Sequence, residues 1–380
     1  MITRIKVKNF KSLEDFEFRN LSAFTCLIGL NGAGKTTLLQ FFDFVRSLLQ
    51  RRVSDWLAKH KWNISDIITI GSGKRSIEFE IDVVDGDATQ TWCARFNTQE
   101  MRCTYESLLT ITNNEKKQLL LFEDNKLRIN NNNFDLPQNF KQEGSVFSFL
   151  QPMLLTPDEL LHTKVFGVLD PSEIAQASQT KYKSKQIEVE SNGKGLVGFI
   201  SSLSTAQQMD LFQKLQAFYP SAQNYKIRKQ TFGWKNLLLS EMEKSYFDAS
   251  HLSYGTLRLF VFLSQYYSDN KCLIFDEIEN GINQELIEKL LDQLQNFNGK
   301  QVMVTTHSAL VLNYLTDEAA KDSVIFLYKD KVGHSHAKKF FEIDGMAKKL
   351  EVLGPGEVMG DTNLIELSRQ MAESVNAEQE

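Results

Sequence analysis

The fold of this chain is indicated by eight consecutive residues, Gly29-Leu30-Asn31-Gly32-Ala33-Gly34-Lys35-Thr36. They satisfy the pattern G-x-x-x-x-G-K-[ST], whose glycines let backbone N–H groups curl around phosphate oxygens. A short apolar run ending at Gly29 precedes the loop, and a stretch with a 3.6-residue apolar period follows from Lys35. The order of strand, glycine-rich loop and helix predicts a phosphate-binding loop (P-loop) in an α/β fold.

This loop predicts that the chain binds ATP and Mg²⁺. Lys35 is expected to bridge the β and γ phosphates and to take part in catalysis, and the Thr36 hydroxyl is expected to ligate Mg²⁺. The predicted nucleotide-binding residues here are Asn31, Gly32, Ala33, Gly34, Lys35, Thr36 and Thr37.

An acidic pair follows a second apolar strand, Cys272 to Phe275. Ligands of an open α/β sheet lie at the carboxyl ends of its strands, where Asp276 and Glu277 fall. We expect Asp276 to support the Mg²⁺ shell and Glu277 to orient and polarise the attacking water. A third apolar strand ends about 30 residues further on, at Thr306-His307, and predicts that His307 lies beside Glu277 and the γ-phosphate.

A serine and a glycine stand at the start of another predicted helix, in Leu252-Ser253-Tyr254-Gly255-Thr256. This arrangement suits phosphate binding, although alone it would be a helix cap. Ser253 and Gly255 are therefore further candidate nucleotide-binding residues.

These four elements, in this order, resemble the ABC-type ATPases, specifically the branch of RecF, SMC proteins and bacterial AAA-domain ATPases related to the OLD family. The resemblance implies that Ser253 and Gly255 form the signature motif, which acts in trans on ATP held by a second subunit. It also implies that Lys11, in the opening Ile5 to Leu13, approaches the nucleotide. Asn283 stands in the D-loop region where the group often has histidine, and no glutamine can be assigned to the Q-loop.

The expected fold is an ABC-type P-loop ATPase head of class α/β with two additions. Strict apolar alternation from Ser76 to Val83, and short runs as far as Ile129, predict an antiparallel β-meander. The predicted segments are 1–144, an N-terminal ATPase lobe with P-loop and meander; 145–250, an inserted, mostly helical subdomain; 251–345, a C-terminal ATPase lobe; and 346–380, a C-terminal tail whose last ~25 residues are polar and acidic and are expected to fray. Too few residues follow the last predicted strand for a nuclease domain.

Composition narrows the partners without identifying them. The formal net charge of −5 argues against a wholly basic nucleic-acid coat, but basic clusters at Lys181–Lys194 and Lys226–Lys235 leave DNA possible. No window is long and apolar enough for a membrane span, so we expect a cytoplasmic protein that has no membrane partner. The four cysteines have no Cys-x-x-Cys spacing, which disfavours a zinc site.

The leading functional hypothesis is an ATP-hydrolysing switch, a homodimer or higher even oligomer whose heads sandwich ATP. By resemblance, it is the ATPase component of a bacterial anti-phage defence system that controls a separate effector protein, a nuclease or toxin. The alternative is a RecF-like DNA-binding clamp in DNA repair or maintenance. A transporter nucleotide-binding subunit is disfavoured because the signature reads Leu-Ser-Tyr-Gly-Thr.

Overall fold

A computed structural model describes residues 1–113, 115–137, 142–150, 158–179, 188–242, 245–297 and 299–379. Up to residue 162 its helices and strands are β1 (Ile2–Lys8), β2 (Phe16–Arg19), β3 (Phe24–Ile28), α1 (Lys35–Gln50), α2 (Val53–His60), β4 (Ser76–Asp85), β5 (Ala88–Asn97), β6 (Arg102–Thr112), β7 (Glu115–Glu123), β8 (Lys126–Ile129), β9 (Asn132–Asp135), α3 (Phe147–Leu150) and α4 (Asp158–Leu161).

The middle of the chain contains β10 (Thr163–Phe166), α5 (Pro171–Ala175), β11 (Ser178–Gln179), α6 (Leu196–Ser202), α7 (Thr205–Phe218), β12 (Asn224–Lys229), β13 (Trp234–Met242), β14 (Ser245–Asp248), α8 (Tyr254–Ser264), β15 (Cys272–Phe275) and α9 (Gln284–Gln295). The remainder contains β16 (Gln301–Thr305), α10 (Ala309–Asn313), α11 (Asp317–Ser323), β17 (Val324–Lys329), β18 (Ser335–Lys339), α12 (Met346–Leu350), α13 (Pro355–Asp361) and α14 (Leu364–Gln379).

The chain forms two compact units, one of residues 1–163 with 301–380 and one of residues 164–300. The first unit is therefore built from both ends of the chain. The four segments predicted from the sequence are instead consecutive stretches of the chain. They remain a prediction about domain organisation.

The β-meander of the first unit is an eight-stranded antiparallel sheet in the order β2-β1-β4-β5-β6-β7-β8-β9. Helix α1 packs on this sheet through two phenylalanines of its apolar face. The ring of Phe41 lies 5.7 Å from that of Phe79, and the ring of Phe44 lies 5.3 Å from that of Phe96. Offset and edge-to-face aromatic pairs of this kind add to the stabilisation from buried apolar area. The meander thus supports the helix that begins at the P-loop.

A second sheet of the first unit places β3 between β16 and β17, parallel to both, with β18 antiparallel on the outer side of β17. All residues of β3 and β16 are buried, as expected for parallel strands covered on both faces. Because the strands are parallel, the segments that follow β3 and β16 start at the same edge of the sheet. Those segments are the P-loop and the turn at His307.

The C-terminal segment differs from the fraying tail that its polar composition predicted. It continues as α12, α13 and α14, and α14 buries Leu367, Met371 and Ala372 within the first unit. These apolar residues recur at the spacing of one helix face, which outweighs the polar average of the segment.

The second unit contains the expected helices and adjacent strands β10 and β15. It also has an antiparallel sheet, β11 to β14, that the sequence analysis did not expect. Strand β12 has few apolar residues, and its one aromatic residue, Tyr225, packs on the rings of Phe212 and Phe260 in α7 and α8. Within the described residues, no helix is long and apolar enough to cross a membrane.

Candidate nucleotide site

The P-loop ends where α1 begins, so the first backbone N–H groups of that helix belong to the loop's end. Gly34 is the N-cap residue, and it has no side chain with which to cap them. The first N–H groups of a helix and the helix dipole make its N-terminus attractive to anions. Gly34 has φ 113°, and a Cβ there would overlap the Ser335 side chain of β18. Glycine is therefore required by both backbone conformation and packing.

Lys35 brings its charge back over the loop. Its side chain is 6% exposed, and Nζ donates to the carbonyl oxygens of Gly29, at 2.8 Å, and Leu30, at 3.1 Å. Thr36, Asn31 and Gly32 are exposed. The predicted loop residues are thus gathered around one helix start, and their donor set suits a polyphosphate.

His307 follows β16 at the same sheet edge as the P-loop. The Thr306 N–H donates to the Leu27 carbonyl oxygen at 3.1 Å, which ties the end of β16 to the end of β3. The His307 side chain is exposed. Within the first unit, His307 and the P-loop thus follow neighbouring parallel strands at the same edge, and a contact of His307 with the γ-phosphate remains a prediction.

Lys11 lies beside α1 with two partners that sequence reasoning missed. Its Nζ donates to Gln40 Oε1 at 2.8 Å and lies 3.2 Å from the centre of the Trp62 ring. Burial lowers the pKa of Lys11 to about 8, although the Asp66 carboxylate acts in the opposite direction. The sequence could have indicated Gln40 as a residue near the site, because Gln40 lies one helical turn after Thr36 on a half-exposed face of α1.

The acidic pair of the second unit follows β15 directly. The Asp276 N–H donates to the Phe166 carbonyl oxygen of β10 at 2.9 Å, so this strand end is held by its neighbour. Glu277 is exposed, and its backbone is left-handed, with φ 48°. Asn280 Nδ2 donates to Glu277 Oε2 at 3.3 Å. Left-handed backbone at a non-glycine residue is uncommon and is found mainly at turns and functional sites.

Ser253 caps α8, because its Oγ accepts from the Thr256 N–H at 3.1 Å. Gly255 packs so closely on the D-loop region that a Cβ would overlap the Gly281 carbonyl oxygen. Asn283 caps α9, with its side chain accepting from the Glu285 N–H at 3.4 Å. The asparagine found where the group often has histidine therefore serves as a helix cap.

The predicted site residues belong to both compact units. Lys11, the P-loop and His307 lie in the first unit, and Ser253, Gly255, Asp276 and Glu277 lie in the second. Their joint action on one nucleotide, including the expected proximity of His307 to Glu277, remains a prediction. Over the described part of the chain, no group of three or more His, Cys, Asp or Glu side chains is placed to hold a metal ion. A hydroxyl with one carboxylate is nevertheless sufficient protein ligation for Mg²⁺ that also binds phosphates.

Comparison with known proteins identifies both a family and a fold. The model of a family described as "AAA domain, putative AbiEii toxin, Type IV TA system" matches residues 24–313. A segment of 45 residues is 49% identical to the OLD nuclease of Thermus scotoductus (strain ATCC 700910 / SA-01) and covers 12% of this chain and 8% of that protein. This match therefore concerns a small part of the OLD nuclease.

A solved structure of an SMC head resembles most of this chain in fold. The SMC head bound to the C-winged helix domain of ScpA matches with a TM-score of 0.55 and 16% identity, over 92% of this chain and 99% of that one. The SMC head domain from Thermotoga maritima matches with a TM-score of 0.47 and 12% identity, over 89% and 98% of the two chains. The predicted ABC-type head fold and the resemblance to SMC-like ATPases related to OLD are confirmed.

Proposed function

Because the chain belongs to the family described as "AAA domain, putative AbiEii toxin, Type IV TA system", we propose that it binds and hydrolyses ATP with Mg²⁺. The observation that carries the proposal is the glycine-capped start of α1, over which Lys35 Nζ is held by two loop carbonyls. Backbone N–H groups of a helix start and a buried ammonium group on one glycine-rich loop suit the β and γ phosphates.

The proposal gives each predicted residue a role. Lys35 stabilises the charge of the transferred phosphoryl group, and Glu277 orients and polarises the attacking water. Thr36 and Asp276 hold Mg²⁺, which neutralises phosphate charge when it is bound. His307 contacts the γ-phosphate from the end of β16.

We further propose a homodimer, or a higher even oligomer, in which Ser253 and Gly255 of one subunit act on the ATP of the other. Closure of the heads would then control a separate effector protein, a nuclease or toxin of a bacterial anti-phage system. The family description names a toxin, the local relative is a nuclease, and the SMC head was solved with a bound partner domain. These three findings support the proposal.

A mixing experiment tests the trans arrangement. Ser253 is exposed and caps α8, so Ser253→Asp keeps a good N-cap while placing a negative charge towards phosphate. Ser253→Asp and Lys35→Ala are each expected to be inactive, but their heterodimer retains one intact site. An equal mixture should recover about a quarter of the wild-type ATPase rate, since half of the dimers carry one of two sites.

Ser253→Asn is the matched control, because asparagine also caps the helix but carries no charge, and we expect it to remain active alone. Subunit exchange is checked with differently tagged subunits. Absence of activity despite exchange would contradict a trans-acting Ser253 in a dimer whose sites fire independently.

Lys11 provides a pH test of the nucleotide site. Its pKa of about 8 means that the ammonium charge is lost as the pH rises from 7 to 9. If this charge contacts the nucleotide, ATP affinity should fall by roughly threefold to tenfold over that range, because the charged fraction of the unbound Lys11 side chain falls about tenfold between pH 7 and pH 9. Calorimetric titration of wild type and Lys11→Arg measures this effect. Arginine keeps its charge at pH 9, so an equal loss in both proteins would rule out Lys11 as the cause.

The alternative DNA clamp is favoured by one surface. Lys226 and Arg228 project from the same exposed face of β12, and Lys226 Nζ lies 3.6 Å from the centre of the Tyr246 ring. In the other basic cluster, Lys181, Lys183 and Lys185 lie outside the described residues, and Lys194 pairs with Glu173 at 3.3 Å. DNA affinity that falls steeply with salt would support the clamp, whereas salt-insensitive or absent binding would favour the effector-controlling switch.

A further inference from the structure

Arg258 is a buried charge at the centre of the second unit. It lies in the second turn of α8 and is 1% exposed. Its Nη1 donates to the Tyr254 hydroxyl at 3.0 Å and its Nη2 donates to the Glu277 carbonyl oxygen at 2.8 Å. The guanidinium carbon lies 5.1 Å from the centre of the Phe262 ring. Among the described residues, no carboxylate forms an ion pair with it. Burying a guanidinium without a counter-ion costs free energy of folding, so we expect its two hydrogen bonds to have a function that offsets this cost.

One of those bonds holds a residue with left-handed backbone, Glu277. The Glu277 carbonyl oxygen accepts from Arg258 Nη2 and also from the Asn280 N–H, at 3.0 Å. Glu277 has φ 48°, a conformation that an L-residue keeps where its surroundings impose it. The backbone at Glu277 sets the direction in which its exposed side chain leaves the chain, and Asn280 Nδ2 donates to the carboxylate at 3.3 Å.

The other bond leads to the start of α8. The Tyr254 hydroxyl accepts from Arg258 and donates to the Leu169 carbonyl oxygen at 3.0 Å. The Tyr254 ring fills the space that a Cβ on Gly281 would occupy. The helix that begins with the Ser253 cap and the segment from Glu277 to Gly281 are therefore packed together, with the Arg258 guanidinium bridging them.

We propose that Arg258 is a positioning residue, which holds the Glu277 peptide so that the carboxylate points to the attacking water. This inference rests on the proposed ATP hydrolysis and on Glu277 as the group that polarises water. Arg258 acts through Glu277 and does not itself touch the nucleotide. Loss of the bond should therefore misplace the carboxylate and slow the chemical step, while ATP binding by the P-loop is retained. A displacement of about 1 Å in a reacting group can cost about 100-fold in rate.

The test compares variants of the full-length chain in ATP affinity, by calorimetry, and in single-turnover hydrolysis rate. Arg258→Met keeps a long apolar side chain but removes both donors. We expect its hydrolysis rate to fall by about 10- to 100-fold while its ATP dissociation constant stays within about twofold. Arg258→Lys keeps the charge and one donor nitrogen, so its hydrolysis rate should fall less. It also allows the test to be made if the methionine variant does not fold. Leu263→Ala is the control for destabilised packing in α8, because Leu263 is buried; it should lower the unfolding midpoint while keeping the hydrolysis rate within about threefold.

A double-mutant cycle separates positioning from a general structural role. If Arg258 acts through the Glu277 carboxylate, Arg258→Met should cause no further loss in a Glu277→Gln background. A multiplicative loss there, or an unchanged rate in both Arg258 variants, would overturn the inference while leaving ATP hydrolysis by the wild type intact. A wild-type chain that binds ATP without hydrolysing it would instead overturn the proposed function together with the inference.

Discussion

Lys35→Ala is expected to abolish ATP binding, with a loss of affinity of at least about 100-fold, because each charge-assisted bond to phosphate is worth roughly 1.5 to 3 kcal/mol. Lys35 Nζ lies against the Gly29 and Leu30 carbonyls, so it is already directed over the loop that would receive the phosphates. Calorimetric titration with ATP and Mg²⁺ measures the loss.

The control for Lys35→Ala is Lys59→Ala, which removes an exposed lysine of α2 in the same unit. It should bind ATP as the wild type does. Because Lys35 also bonds loop carbonyls, the unfolding midpoint of both variants has to be compared with that of the wild type. Unchanged affinity in a folded Lys35→Ala protein would contradict the P-loop assignment.

Glu277→Gln is expected to bind ATP normally but to hydrolyse it about 100- to 1,000-fold more slowly, within the range that a general base contributes. Glutamine keeps nearly the same shape, and its amide oxygen can still accept from Asn280 Nδ2. The charge and basicity needed to polarise water are lost. Dimers closed around ATP should then accumulate, which light scattering after size-exclusion chromatography in ATP would detect.

Glu288→Gln is the matched control for this change. Glu288 is exposed on α9, so the same chemical substitution there should leave the single-turnover rate unchanged. Near-normal turnover in Glu277→Gln would show that Glu277 does not orient the attacking water. His307 or another group would then have this function.

Local sequence patterns were sufficient to predict the strands of the meander and the buried strands that precede the functional residues. The alternation from Ser76 predicted the meander, because successive side chains of a strand face opposite sides of the sheet. The apolar runs before Gly29 and Asp276 predicted buried strands with functional groups at their ends. The antiparallel sheet of the second unit, β11 to β14, was not predicted, since Lys226 and Arg228 interrupt the apolar pattern of β12.

The sequence by itself determined the chemistry of the candidate site: a glycine-rich loop with Lys35 and Thr36, the acidic pair Asp276 and Glu277, and a capped helix start at Ser253. These features depend on residue type and short spacing, which are local properties. The tertiary structure alone decided that Gln40 and Trp62 contact Lys11, and that Arg258 bonds the Glu277 backbone. Those contacts join residues about 20 to 50 positions apart through packing, and no local periodicity encodes which buried side chain will meet which carbonyl.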